Sequence, residues 1–109
     1  MNKAELVETI ASQCELSKAK AYEVVSTLIE TVSKTICDGE PVRITGFGTF
    51  GPRPRKSAQR VNPQTGQRIM TPARVVPGFR PSLTLKEQMR RRLKVVESAG
   101  ELSIVKAVR

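Results

Sequence analysis

Between residues 41 and 86 the chain carries nine Arg or Lys and not one Asp or Glu. Six of these, Arg53, Arg55, Lys56, Arg60, Arg68 and Arg74, flank the run Asn62-Pro63-Gln64-Thr65-Gly66. Guanidinium groups hold their donors in a fixed fork, which suits phosphate oxygens and the negative potential of a narrow minor groove. A proline at the tip of a turn can also enter between base steps, although in most turns it only sets the backbone. Surfaces that merely face water mix both signs of charge, so a long carboxylate-free stretch points to a polyanionic partner, nucleic acid before others. A membrane surface fits less well, because this stretch is broken by Pro and Gly and has no amphipathic helical period. The imbalance is local: residues 1–40 hold four Lys against seven acidic residues, while the whole chain is at +9.

Other chemistries find little support. The chain has no His, so the usual general base is absent. Cys14 and Cys37 have neither a metal-ligand spacing nor an imidazole to activate them. Seven of the ten carboxylates precede residue 41 and are spaced as on solvated helix faces. Neither an enzyme nor a bound metal or other cofactor is expected. Gly46-Phe47-Gly48-Thr49-Phe50-Gly51 matches G-x-G-x-x-G formally, but such a loop must open a helix, and here Pro52-Arg53-Pro54 follows. A hairpin turn whose Phe47 and Phe50 supply scarce core aromatics is the better reading. The two cysteines are expected to be reduced: a largely helical segment rising about 1.5 Å per residue would hold them about 30 Å apart. No signal-peptide succession opens the sequence and no apolar run nears membrane-spanning length, so the cytoplasm is expected and a membrane partner is not.

The elements that must position the basic cluster are legible in outline. At 109 residues, with three Phe, one Tyr and no Trp, the chain reads as one domain of marginal size that a partner chain would help. Asn2 and Glu5 make a capping-box-like start, and Leu6, Ile10 and Cys14, with Val7 and Ala11 beside them, recur at helical spacing. Leu16-Ser17 offers a staple residue and an N-cap for a second helix that ends at Asp38-Gly39. Its apolar positions, Ala21, Val24, Val25, Leu28, Ile29, Val32 and Ile36, cover an arc of about 140°, wider than one short helix would fill, which favours a dimer interface over a cover for the following sheet.

From Pro41 the pattern alternates, with Val42 and Ile44 on one side and Arg43 and Thr45 on the other. Gly46-Phe47-Gly48 reads as a tight turn into a second strand. Residues 51–60 have nothing to bury, and Ile69 to Val76 resumes a β pattern interrupted by Pro72, so the flanks of the Asn62–Gly66 turn should pair as a long, mobile ribbon. Val75, Val76 and Phe79 are expected to return to the core. Pro81-Ser82 should cap a final helix carrying Leu83, Leu85, Met89 and Leu93, with Arg90, Arg91 and Arg92 on its polar face. The tail beyond is ambiguous, a Gly break beside a short apolar run.

Met1-Asn2-Lys3, Gly46-Phe47-Gly48-Thr49-Phe50, Asn62-Pro63-Gln64-Thr65-Gly66 and Phe79-Arg80-Pro81, in this order and spacing, resemble the HU and integration host factor family of bacterial nucleoid proteins, without gaps to about residue 90. The resemblance implies an α+β fold: an intertwined dimer with two N-terminal helices, a three-stranded antiparallel sheet extended into a β-ribbon arm, and a C-terminal helix. It implies two arms that embrace the minor groove of double-stranded DNA, with Pro63 as the intercalating wedge. The candidate DNA-binding residues are then Arg53, Arg55, Lys56, Arg60, Asn62, Pro63, Gln64, Thr65, Gly66, Arg68, Arg74, Arg80 and Lys86. Leu28, Ile29, Val32, Ile36, Ile44, Phe47, Phe50 and Phe79 form the expected dimer core. The sequence departs from the family's pattern at Val61, where a basic residue is usual, at Arg60, where a small one is, and at Ser82 and Leu83, where Gly and Lys are common.

The expected function is low-specificity minor-groove binding that bends and compacts DNA in the cytoplasmic nucleoid. A site-specific bending factor and an RNA-binding structural protein are the alternatives. A homodimer is expected, with a heterodimer with a paralogue also compatible. Residues 1–94 are expected to form the DNA-binding domain, with its arm at about 52–75, and 95–109 a C-terminal extension.

Overall fold

The computed structural model describes residues 1–107 and divides into two compact units, Met1–Glu40 and the part from Pro41 onward. The first unit is a helical pair, α1 (Lys3–Gln13) and α2 (Lys18–Cys37). Both starts are capped as the sequence suggests: the Glu5 N–H donates to Asn2 Oδ1 (2.8 Å) and the Lys20 N–H to Ser17 Oγ (3.1 Å). Gly39, at φ +87, takes the left-handed conformation that ends α2. Val7, Ala11, Ala21 and Val25 are buried between the helices, with Ile10 and Leu16 packed against them. The buried positions of α1 are therefore Val7 and Ala11, whereas Leu6 and Cys14 of the expected stripe are exposed. The alanines at this seam permit a close approach, and the contact uses only the N-terminal part of α2's apolar stripe, Ala21 and Val25. Leu28 and Ile29 remain 56% and 47% exposed.

The second unit begins with an antiparallel sheet in the order β1 (Val42–Ile44), β2 (Gly48–Arg55), β5 (Arg74–Pro81). The β1–β2 turn is closed by the Phe47 N–H on the Ile44 carbonyl (3.0 Å), with Gly46 at φ +84 in the third position, the place where a type II turn requires glycine. Gly48 is needed for another reason: a Cβ there would lie 2.5 Å from the Arg80 carbonyl oxygen and 2.6 Å from the Phe79 ring. That close approach lets Phe47, Phe50 and Phe79 form an aromatic triad with ring centroids 4.6 to 6.1 Å apart. The glycine pattern thus belongs to a hairpin and not to a phosphate-binding loop.

The ladder explains the prolines. Pro52 faces Pro77 across β2–β5, so neither nitrogen is asked for a bond there, and Pro54 and Pro81 sit at the same parity. Beyond a two-residue bend the ribbon continues as β3 (Ala58–Val61) paired with β4 (Arg68–Thr71). Val75 is 73% exposed, which corrects its expected return to the core. It opposes Pro54 on the part of the ribbon that β1, only three residues long, does not reach.

Helix α3 (Leu83–Arg92) is capped by Ser82 Oγ, which accepts the Leu85 N–H (3.1 Å), and the Ser82 N–H donates to the Phe47 carbonyl (2.9 Å). The helix stops one residue short of Leu93, which the periodicity assigns to it: Leu93 is extended (φ −127, ψ 151) and opens a hairpin of β6 (Leu93–Ser98) and β7 (Glu101–Lys106). Ala99 and Gly100, at φ 52 and 80, supply the two left-handed residues of a type I′ turn, and the pairing they permit on Leu93 outweighs further helix.

Candidate nucleic-acid interface

Strand register sorts the basic residues. Side chains directly opposite in an antiparallel pair share a face and alternate along each strand. Arg43 pairs with Thr49 and Thr49 with Arg80; Arg53 pairs with Val76 and Arg55 with Arg74. Arg43, Arg53, Arg55, Arg74 and Arg80 therefore lie on one face of the sheet and the arm base. Val42, Ile44, Phe50, Phe79 and the four prolines occupy the other. The parity that turns proline nitrogens out of the ladder also puts proline rings among the aromatics and leaves the arginine face free of them.

The centre of the basic face is flat, because Gly51 opposes Gly78. The Arg53 side chain lies across this gap: a Cβ on Gly78 would come 2.9 Å from its Nε. All five arginines are exposed. The salt bridges among the described residues, Lys18–Glu8 and Lys20–Glu23, are in the helical unit, so no carboxylate in the sheet unit neutralises the face. Arg43 and Arg80 sit two strands apart, about 10 Å, which moderates their repulsion.

Towards the tip the register splits the remaining charges. Arg60 opposes Ile69 on one face of the ribbon, and Arg68 opposes Val61 on the other. Val61 thus leaves its face uncharged on β3, and Arg68 supplies that face from β4. The tip itself is tied by its own backbone. The Asn62 N–H donates to the Gln67 carbonyl (2.8 Å) and the Gly66 N–H to the Asn62 carbonyl (2.8 Å). The Gln64 N–H donates to Asn62 Oδ1 (2.9 Å) and the Gln67 N–H to Thr65 Oγ1 (3.3 Å). With Gly66 at φ +69 these bonds close the loop and hold Pro63 exposed at its end. Lys56 lies in the bend between β2 and β3 and Lys86 in α3, outside the ladder that defines the basic face. Arg43 was not among the expected contact residues. Its signal was its place opposite Val42 and Ile44 in the strand alternation, which becomes informative only when the β1–β2 register aligns it with Arg53 and Arg55.

Residues 1–90 match the family model described as bacterial DNA-binding protein. This chain belongs to that family, the HU family. The relationship is close to full length for its relatives. It is 39% identical over 87 residues to DNA-binding protein HU 1 of Bacillus subtilis, covering 80% of this chain and 95% of that one. It is 37% identical over 90 residues to DNA-binding protein HU of Staphylococcus aureus, covering 83% of this chain and all of the relative. Among solved structures, an Anabaena HU in a cocrystal with DNA superposes with a TM-score of 0.78 at 34% identity, covering 82% of this chain and 97% of that one. HU from Thermotoga maritima superposes at 0.59 with 29% identity, covering 82% and 98%. The family match ends within α3, so the β6–β7 hairpin is an addition to the HU-like part of this chain.

Proposed function

We propose that this chain is a non-enzymatic architectural protein that acts as a dimer, grips duplex DNA through the minor groove with low sequence specificity, and bends and compacts it in the cytoplasmic nucleoid. The observation that carries this reading is the carboxylate-free face of Arg43, Arg53, Arg55, Arg74 and Arg80, continuous with an arm that ends in an exposed Pro63. The face contacts phosphates. Arg60, Arg68 and the Asn62–Gly66 tip enter the groove, and Lys56 and Lys86 add phosphate contacts at the margins.

Pro63 is the wedge. Its pyrrolidine ring has no rotatable side chain to order on insertion, and the tied loop holds it in place. Unstacking a base step costs a few kcal/mol, offset by the basic surface that a bent duplex can reach. The arm suits this role, since a two-stranded ribbon with no buried face is marginally stable in water and adapts to the groove.

A second copy explains the open apolar surface. Burying one Leu, Ile or Phe is worth roughly 1.5–3 kcal/mol, yet Leu28, Ile29, Phe47 and Phe79 are exposed and Val32, Ile36, Ile44 and Phe50 only partly covered. The HU-like part in this reading ends with α3 at Arg92, and the extension begins with β6 at Leu93, two residues before the boundary expected between 94 and 95. A homodimer is the simplest assembly.

Energy transfer between dyes at the two ends of a short duplex tests the mechanism, with wild type compared to Pro63→Ala at two salt concentrations. Wild type draws the ends together, and the variant binds with less bending. A duplex that stays straight under saturating wild type sinks the bending mechanism. A strong preference for one sequence over random DNA, or for structured RNA over duplex, would replace low-specificity DNA binding by one of those alternatives.

A further inference from the structure

The β6–β7 hairpin lies outside the family match and differs in kind from the arm. Residues 93–106 carry two Lys and two Glu, where residues 41–86 carry no acid at all. A neutral hairpin is a poor second DNA arm. It is instead amphipathic. Register places Leu93, Val95, Glu97, Leu102, Ile104 and Lys106 on one face, and Val95, Leu102 and Ile104 are 64%, 72% and 70% exposed. The opposite face carries Lys94, Ser98, Glu101 and Ser103, which suit water, and its two valines, Val96 and Val105, are less exposed, at 38% and 37%. The Ala107 N–H donates to the Arg92 carbonyl (2.8 Å), which ties the open end of the hairpin to the last residue of α3.

The charges on that face identify its occupant. Lys106 pairs with Leu93 at the α3 end, Glu97 with Leu102 at the turn end, and Val95 with Ile104 between them. Laid against itself with the strands reversed about a two-fold axis, the face sets each Lys106 end against a Glu97 end and stacks the aliphatic pairs. The same-sense arrangement would set like charges together, so the pattern is self-complementary in one orientation only.

We propose that the C-terminal hairpin is a self-association surface whose partner is the hairpin of a second copy of this chain. Where the proposed helix-based dimer holds, the hairpins join one dimer to the next, and on DNA they bridge separately bound duplexes. This last consequence rests on the function proposed above; the self-association does not.

Sedimentation equilibrium of the full chain without DNA tests it with Glu97→Lys, Lys106→Glu, the double exchange Glu97→Lys/Lys106→Glu, and Ile104→Lys. Wild type and the double exchange should sediment at twice the mass or more of either single variant and of Ile104→Lys at equal concentration. Recovery in the double exchange shows that the single variants lost an interaction and not their fold. Equal masses for all five proteins, or a double exchange that stays at the lower mass, overturns the proposal. The duplex-bending assay on the same proteins keeps the two readings apart: loss of bending by wild type would sink the proposed function and leave the mass comparison standing.

Discussion

Arg43 offers a direct test of the argument from register, because only its pairing with Thr49 places it on the face shared by Arg53, Arg55, Arg74 and Arg80. If each face arginine meets one phosphate, the faces of two chains make about ten contacts, beside those of Lys56 and Lys86. At about 0.9 counterions per contact, the faces contribute about −9 to the slope of log affinity against log salt, a fall of about 3 × 10⁵-fold between 50 and 200 mM salt. Arg43→Gln removes two of these contacts, so the slope becomes shallower by about 2 and the faces' share of the fall shrinks to about 2 × 10⁴-fold. Fluorescence anisotropy of a labelled duplex at four or more salt concentrations reads both numbers. The side chain is exposed and forms no salt bridge among the described residues, so thermal stability should move by less than about 0.5 kcal/mol. Arg90→Gln, on α3 and away from the ladder, serves as the control and should leave the slope at its wild-type value. A wild-type slope in Arg43→Gln, measured where Arg90→Gln is also unchanged, would refute assignment of the face by register.

Gly48→Ala should destabilise the protein by about 1–3 kcal/mol, since the new methyl meets the Arg80 backbone as well as the Phe79 ring, and a thermal melt followed by circular dichroism would show it. Ser82→Ala removes the cap of α3 and should cost about 1 kcal/mol in the same melt, whereas Ser82→Gly should cost only a few tenths. Val75→Thr should stay within about 0.5 kcal/mol of wild type; a larger loss would restore Val75 to the core that its hydrophobicity suggests. Asn62→Ala removes the acceptor of the Gln64 N–H, and amide exchange at Gln64 should accelerate while exchange in α2 stays unchanged.

Much of the chain was legible because its signals are local. The caps at Asn2, Ser17 and Ser82 each satisfy a backbone N–H three residues on, and the tip from Asn62 to Gly66 closes through bonds within six residues. Alternation from Val42 and the absence of carboxylates from 41 to 86 could be read the same way, and so could the resemblance to HU. Local signals failed where two structures of similar propensity compete. Leu93 continues the helical period of α3, yet hydrogen bonding to β7 draws it into a strand. Val75 has the side chain of a core residue, but among the described residues β1 stops short of it and it stays 73% exposed opposite Pro54.

The sequence by itself determined the existence of the three helices and their N-caps, the turns at Gly46 and at Asn62 to Gly66, the basic character of the arm and the family. Tertiary structure alone decided which residues share a face. Five arginines spread over 38 positions become one surface only after β1, β2 and β5 pair in a single register, and a shift of one residue would set arginines among the aromatics. It also decided which part of α2's apolar arc α1 covers, and that the tail would fold into a hairpin with an open aliphatic side. The physical reason is the same in each case: caps and turns are settled within a few residues, whereas register and burial depend on segments that meet only once the chain has folded.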